Sequence, residues 1–218
     1  MAPRAILFDF DGTLIDSAAS VLASLGHALQ KSNVTPVVPL ERTLIGPPLR
    51  KTLTTLVGRD DSALLDVLAQ AFRDDYDTRG YQRTEVYAGV PEMLRGLRTR
   101  DIALHIVTNK RIAATRRILD HLGWTNWFAG IYALDALEPA APNKPQLVAE
   151  VLRREHLAAT STWMVGDSAE DRRSAETNAL RFFAATWGYG AAAGNDTDDT
   201  ALTEPLQLLR AAGGAPRD

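Results

Sequence analysis

An α/β fold follows from three observations: a mostly parallel sheet with helices on both faces and an inserted α-helical cap. Short apolar runs alternate with stretches of helical periodicity through most of the chain. One long segment, residues 17–84, carries helical patterns alone. Acidic, amide and ammonium side chains stand directly after the apolar runs, where open α/β sheets place their ligands.

The first strand covers Arg4–Phe8, a short apolar run stopped by Asp9-Phe10-Asp11-Gly12, which reads as a tight turn. Later strands are expected at Ile102–Thr108, Ile131–Leu134, Thr162–Val165 and Arg181–Thr186. Between them, helical spacing predicts helices over Pro91–Thr99, Arg111–Leu122, Lys144–Glu155 and Ser168–Asn178. Strands and helices of these lengths in alternation build βαβ units. In the inserted segment, Val21, Leu22, Leu25 and Leu29 make one apolar helical face, and Leu64, Leu65, Leu68, Phe72 and Tyr76 make another. Thr43–Val57 is a third helical stretch, interrupted at Gly46-Pro47-Pro48, which must turn. The expected division is a core of residues 1–16 and 85–218 and a cap of residues 17–84. Ala191–Thr200 reads as a loop, and Ala211–Asp218 as a frayed tail.

The chain has 218 residues, 45% of them hydrophobic and 23% charged, so it can bury a core without staples. It has no cysteine, which excludes disulfides, thiolate metal sites and a cysteine nucleophile. A net charge of −3 gives no electrostatic case for nucleic acid or an anionic membrane. The apolar stretch at Ala5–Phe8 is too short for a signal peptide, and no run is long enough to span a bilayer. The Asn-x-Thr triplets at Asn33 and Asn195 then read as chance matches. The expectation is a cytoplasmic monomer or homodimer.

The strand ends carry the chemistry. Asp9 and Asp11 follow the first strand, and side chains two apart on an extended chain share a face. Thr108 and Asn109 follow the second strand, Lys144 opens a later helix, and Asp167 and Asp171 follow the fourth strand. Four carboxylates, Asp9, Asp11, Asp167 and Asp171, repel one another and call for a cation. With neither Cys nor His among them, Mg²⁺ is the natural choice. Lys144, Thr108 and Asn109 suit the non-bridging oxygens of a phosphoryl group. One carboxylate can attack phosphorus, and a second can protonate the leaving oxygen and later deprotonate water.

The run Asp9-Phe10-Asp11-Gly12-Thr13-Leu14-Ile15-Asp16-Ser17 resembles the signature of the haloacid dehalogenase-like superfamily. Thr108-Asn109, Lys144 and Gly166-Asp167-Ser168-Ala169-Glu170-Asp171 resemble its other three motifs, in order. The helical insert is similar to that superfamily's C1-type cap, and Ile45-Gly46-Pro47-Pro48-Leu49 to the cap's substrate loop. Val86-Tyr87-Ala88-Gly89-Val90 and Thr186-Trp187-Gly188-Tyr189-Gly190 resemble its phosphoglycolate phosphatase branch. The resemblance implies a Rossmann-like core, with Asp9 as nucleophile and Asp11 as general acid and base. It implies Mg²⁺ on Asp9, the Asp11 backbone carbonyl, Asp167 and Asp171, and a phosphoryl group on Thr108, Asn109 and Lys144. Dehalogenase members lack the second aspartate, so Asp11 points to phosphate esters, with 2-phosphoglycolate as the implied substrate. A phosphomutase and a nucleotide or sugar-phosphate phosphatase share the same core residues and stand as alternatives.

Some residues weigh less. Arg50, just past the Gly46-Pro47-Pro48 turn, could reach a substrate anion as a planar donor fork or sit on the cap surface. The four histidines match no metal spacing, and His105 reads as filler within a strand. Trp187 and Tyr189 suit packing better than ligand stacking, and Gly188-Tyr189-Gly190 with Gly194 has the wrong spacing for a dinucleotide turn.

Overall fold

The computed structural model describes residues 2–190 and 200–213. Six parallel strands form one sheet in the order β5-β4-β1-β6-β7-β8. They are β1 (Ala5–Phe8), β4 (Ala103–Thr108), β5 (Gly130–Ala133), β6 (Thr162–Gly166), β7 (Arg181–Ala185) and β8 (Ala201–Leu202). All of β1 is buried, which fits a central strand covered on both faces and explains its unbroken apolar run. Its side chains alternate between two cores. Ile6 and Phe8 pack with Met93, Leu94 and Leu97 of α4 (Val90–Arg98), Ile118 and Leu119 of α5 (Ile112–His121) and Leu208 of α8 (Leu206–Ala211). Leu7 packs on the opposite face with Leu147, Val148 and Val151 of α6 (Lys144–Arg154) and Ala175 of α7 (Ala169–Thr177). Strand order reverses at β1, between β4 and β6, so a crevice opens at the carboxyl ends of these three strands.

Local chemistry sets the helix starts there. Asn143 caps α6 by accepting a hydrogen bond from the Gln146 amide at 3.0 Å, with Pro145 in the first turn. Ser168 caps α7 in a reciprocal box with Asp171.

Over this crevice lies a helical layer of α1 (Ala18–Lys31), α2 (Leu49–Val57) and α3 (Ser62–Tyr76). It has a core of its own, with Leu25 and Leu29 of α1 against Leu53 and Leu56 of α2 and Leu65, Leu68, Phe72 and Tyr76 of α3. Asp61 caps α3 through the Leu64 amide, and Gly58 ends α2 in the left-handed conformation. The chain passes between the layers twice, and the two passages pair as a short antiparallel ribbon, β2 (Ile15–Asp16) against β3 (Glu85–Val86).

The expected strands and helices lie within a residue or two of the observed ones at both ends. The sixth strand, β8, the ribbon and α8 are additions. Two-residue strands are too short to show periodicity. The loop expected over Ala191–Thr200 falls outside the described residues except at its last position, as does the tail beyond residue 213. No helix among the described residues is long and apolar enough to cross a membrane.

Candidate active site

The crevice at the ends of β1, β4 and β6 gathers a dense set of charges. Asp9 leaves β1 with its amide bonded to the Val165 carbonyl at 2.9 Å, which ties the end of β1 to β6. Asp167 follows β6, and Asp171 lies in the first turn of α7. Each of Asp9, Asp167 and Asp171 offers a carboxylate oxygen within 4.8 Å of the other two, and all three residues are buried. Lys144, at the start of α6, places Nζ 2.5 Å from Asp9 Oδ1 and 2.5 Å from Asp171 Oδ1. Its side chain is 2% exposed.

These charges are held in place by backbone. The amides of Tyr189 and Gly190 donate to Asp167 Oδ2 at 2.7 and 3.0 Å. Asp171 Oδ2 accepts from the Ser168 amide at 3.0 Å and the Ser168 hydroxyl at 2.5 Å. Gly12 has φ +85°, and a Cβ there would lie 2.3 Å from Asp167 Oδ2. The absence of a side chain at Gly12 is therefore what lets the turn after β1 approach the Asp167 carboxylate.

Three buried carboxylates and one ammonium leave a formal surplus of two negative charges. Burial pushes Asp9 well above the usual carboxylate range, and the charges of Asp171 and Asp167 add to that against the opposing pull of Lys144. Burial raises Asp167 to about 6, with the Asp171 charge adding to it while the Gly190 and Tyr189 amides work the other way. Burial alone would lower the Lys144 ammonium, but Asp171 and Asp9 more than offset it and hold the group protonated. An all-oxygen donor set with this surplus fits a hard divalent cation.

Asp11 belongs to a second cluster. Its Oδ1 accepts from the Ser17 hydroxyl and from Lys110 Nζ, the latter at 2.9 Å. Lys110 is buried under the Tyr76 ring, 4.8 Å from its centroid. Burial pulls this ammonium down, and Asp11 and Tyr76 more than offset it, so it stays charged. Asp11 also lines a cleft between the sheet end and the helical layer, together with Asn109, Lys110 and Arg111. Asn109 Nδ2 donates to the Gly46 carbonyl at 3.0 Å and to Glu170 Oε2 at 2.6 Å, so one amide joins β4, α7 and the Gly46 loop. Arg111 forms a two-point pair with Asp77 at 2.5 and 3.0 Å, tying the start of α5 to the end of α3.

The family described as haloacid dehalogenase-like hydrolase matches residues 6–185. The chain belongs to that family. Among curated relatives, a phosphoglycolate phosphatase of Xanthomonas campestris pv. campestris is 33% identical over 86% of this chain and 85% of its own. The tyrosine-protein kinase PtkA of Mycobacterium tuberculosis is 31% identical over 88% of this chain, which spans 65% of that protein's length. Among solved structures, a haloacid dehalogenase-like family hydrolase from Streptococcus pneumoniae superposes with a TM-score of 0.83 at 26% identity, covering 96% of this chain and 98% of the other.

The acids and the lysine singled out as this family's motifs converge except for the Asp11 carboxylate, and Arg50, a candidate from outside those motifs, lies apart from them too. Asp9, Lys144, Asp167 and Asp171 form one cluster, and Thr108, 1% exposed, ends β4, the strand paired with β1, and accepts from the Lys110 amide at 3.1 Å. The carboxylate of Asp11 does not join them. The chain leaves the strand conformation after β1, turns at Gly12, and sends that side chain to Ser17 and Lys110, so three carboxylates rather than four share the metal-type cluster. Arg50 stands apart as well. It lies on the outer face of α2, half-exposed, and pairs with Asp66 at 2.6 Å. Helical geometry turns it away from the cleft that Leu49 lines.

Other residues at the site were not anticipated. Lys110 directly follows the Thr108-Asn109 pair, and this adjacency was the available signal. Glu170 sits inside the last motif and holds Asn109. Tyr189 and Trp187 do more than pack. The Tyr189 hydroxyl accepts from the Ser17 amide at 2.6 Å and donates to Asp16 at 3.1 Å, and Trp187 Nε1 donates to the Thr13 carbonyl at 3.0 Å.

Proposed function

We propose that this chain is a Mg²⁺-dependent phosphomonoester hydrolase that carries the phosphoryl group on Asp9. The observation supporting this most directly is the buried trio of Asp9, Asp167 and Asp171, two of which, Asp9 and Asp171, share one lysine, with a separate carboxylate, Asp11, lining the adjoining cleft.

In this reading an Asp9 carboxylate oxygen attacks phosphorus in line, forming the O–P bond of an aspartyl-phosphate as the ester O–P bond breaks. Asp11, protonated on Oδ2 while Ser17 and Lys110 stay on Oδ1, gives that proton to the departing alkoxide. Asp11, now a carboxylate, takes a proton from water as that water attacks the phosphorus, and the bond to Asp9 is broken. Inorganic phosphate leaves and both aspartates return to their starting states. Lys144 and Thr108 hold the non-bridging oxygens, joined by Asn109 once its amide leaves Gly46, while the amides of Tyr189 and Gly190 fix Asp167. Mg²⁺ would be held by Asp9, the Asp11 backbone carbonyl, Asp167 and Asp171, and would supply positive charge that lets a carboxylate approach a phosphate dianion. Residues 17–84 act as a cap domain that shuts water out during the first step and opens for release. Their separate core and the two-strand ribbon support that division.

By family resemblance, 2-phosphoglycolate heads the substrate panel. The test is phosphate release from 2-phosphoglycolate, nucleoside monophosphates and hexose phosphates, with Mg²⁺ and after chelation. Turnover should need the metal and should fall by about 10³-fold or more in Asp9→Asn, whose amide cannot form the intermediate. Metal-independent release, or an active Asp9→Asn enzyme with unchanged circular dichroism, would refute the proposal. Transfer to a sugar without free phosphate would make the chain a mutase instead.

A further inference from the structure

The cleft beside Asp11 differs in character from the phosphoryl site it adjoins. Its walls are Val21 and Leu25 of α1, Leu44, Leu49 of α2, and Phe72 and Tyr76 of α3, whose rings stack at 5.1 Å. It has room for roughly five water-sized groups, the bulk of a six-membered ring or a short alkyl chain. Among the described residues two cations line it, and both are engaged. Lys110 is bound to Asp11 and Arg111 to Asp77. The Thr52 hydroxyl donates to the Leu44 carbonyl, and the Asn109 amide to Gly46 and Glu170. A ligand carboxylate in this cleft would have to displace Asp11 or Asp77 from its partner, or stay unpaired among leucine and phenylalanine side chains. An apolar group displaces neither and covers the walls.

We infer that the cleft takes the alcohol half of the substrate and that this alcohol is small and apolar, an arylmethyl or short alkyl group rather than a carboxylated or polyhydroxylated one. The position of Asp11 supports this placement, since the carboxylate to which the hydrolase reading gives the proton transfer also lines the cleft. The inference rests on the hydrolase reading above and departs from the family resemblance on the alcohol.

The test compares kcat/KM for benzyl phosphate, 2-phosphoglycolate and glycerol 1-phosphate, all esters of ordinary alkyl alcohols, so that leaving-group strength does not decide the order. Benzyl phosphate should exceed both polar esters at least tenfold, the scale on which apolar pockets discriminate. Leu49→Gln should reduce that ratio at least threefold, and Leu49→Arg, which adds an unengaged cation, should shift it toward 2-phosphoglycolate. The ratio reads selectivity within one preparation, so partial loss of folded protein does not alter it. A preference below tenfold, or a ratio that neither variant moves, overturns the inference while leaving the hydrolase reading intact. Release from none of the three, with release from nucleoside monophosphates or hexose phosphates, overturns the inference alone; release from no ester of either panel overturns both.

Discussion

Replacing Lys144 by Met tests the electrostatics of the site most directly. The side chain is 2% exposed and lies 2.5 Å from both Asp9 and Asp171. Methionine fills much of the same volume, so the perturbation is mainly the loss of one positive charge. Removing one partner of a buried ion pair leaves an uncompensated charge and costs about 3–5 kcal/mol. Here two carboxylates lose their partner at once, and a third, Asp167, stands within reach of both. For a chain of this size each kcal/mol moves the melting temperature by about 2–4 °C. The loss should therefore be about 6–20 °C in metal-free buffer, read by calorimetry or by circular dichroism during heating. Added Mg²⁺ should restore more of the midpoint in Lys144→Met than it adds to the parent, because the ion replaces part of the missing charge. A metal-free midpoint within about 2 °C of the parent would refute the reasoning, since three carboxylates cannot share a buried site without a counter-charge at so little cost.

Other substitutions probe separate parts of the same argument. Asp11→Asn should slow alkyl phosphate turnover by about 10²–10⁴-fold, but p-nitrophenyl phosphate turnover by much less, since that leaving group needs no proton; equal losses would remove Asp11 from proton transfer. Gly12→Ala places a Cβ 2.3 Å from the Asp167 carboxylate at a φ of +85°. It should cut phosphate release more than tenfold and lower stability by about 1 kcal/mol or more; a variant matching the parent in both assays would show that the turn yields freely. His105 is 1% exposed, neither ring nitrogen has a hydrogen-bond partner, and burial lowers its pKa from the ordinary histidine value of 6.5. The unfolded chain thus binds this proton more readily than the native one. Its effect is absent well above pH 6.5 and erodes stability as pH falls below that value. Urea titrations of the parent should show a steeper decline between pH 7 and pH 5.5 than those of His105→Leu, and parallel declines would contradict the assignment.

Much of this site could be read along the chain because its parts sit at strand ends. The apolar run to Phe8 and the turn at Gly12 place Asp9, and the same logic places Thr108 after β4 and Asp167 after β6. Lys144 is a different case. Nothing local distinguishes it from a surface lysine, and its role depends on α6 beginning beside β1 across a gap of 135 residues. Lys110 and Glu170 were hidden for the same reason, since their partners Asp11 and Asn109 come from other elements. Arg50 shows the reverse failure. Proximity in sequence to the Gly46-Pro47-Pro48 turn suggested a role in binding, yet one step along α2 from Leu49 turns the side chain to the outer face and Asp66. The strand β8 escaped notice because two residues of backbone pairing leave no side-chain pattern.

The ribbon of β2 and β3 has a mechanical consequence. The chain enters and leaves the helical layer through neighbouring backbones, tied by Ile15 to Val86 and by Asp16 to Glu85. Two tethers fastened side by side behave like the pins of a door. They would let the layer swing about their common line once the Arg111–Asp77 and Asn109–Gly46 ties part, and resist sliding or twisting across the crevice. Ser17, whose hydroxyl reaches Asp11, lies one residue beyond that line. Any swing of the layer therefore turns beside the Asp11 carboxylate, to which the proposed mechanism gives the proton transfer.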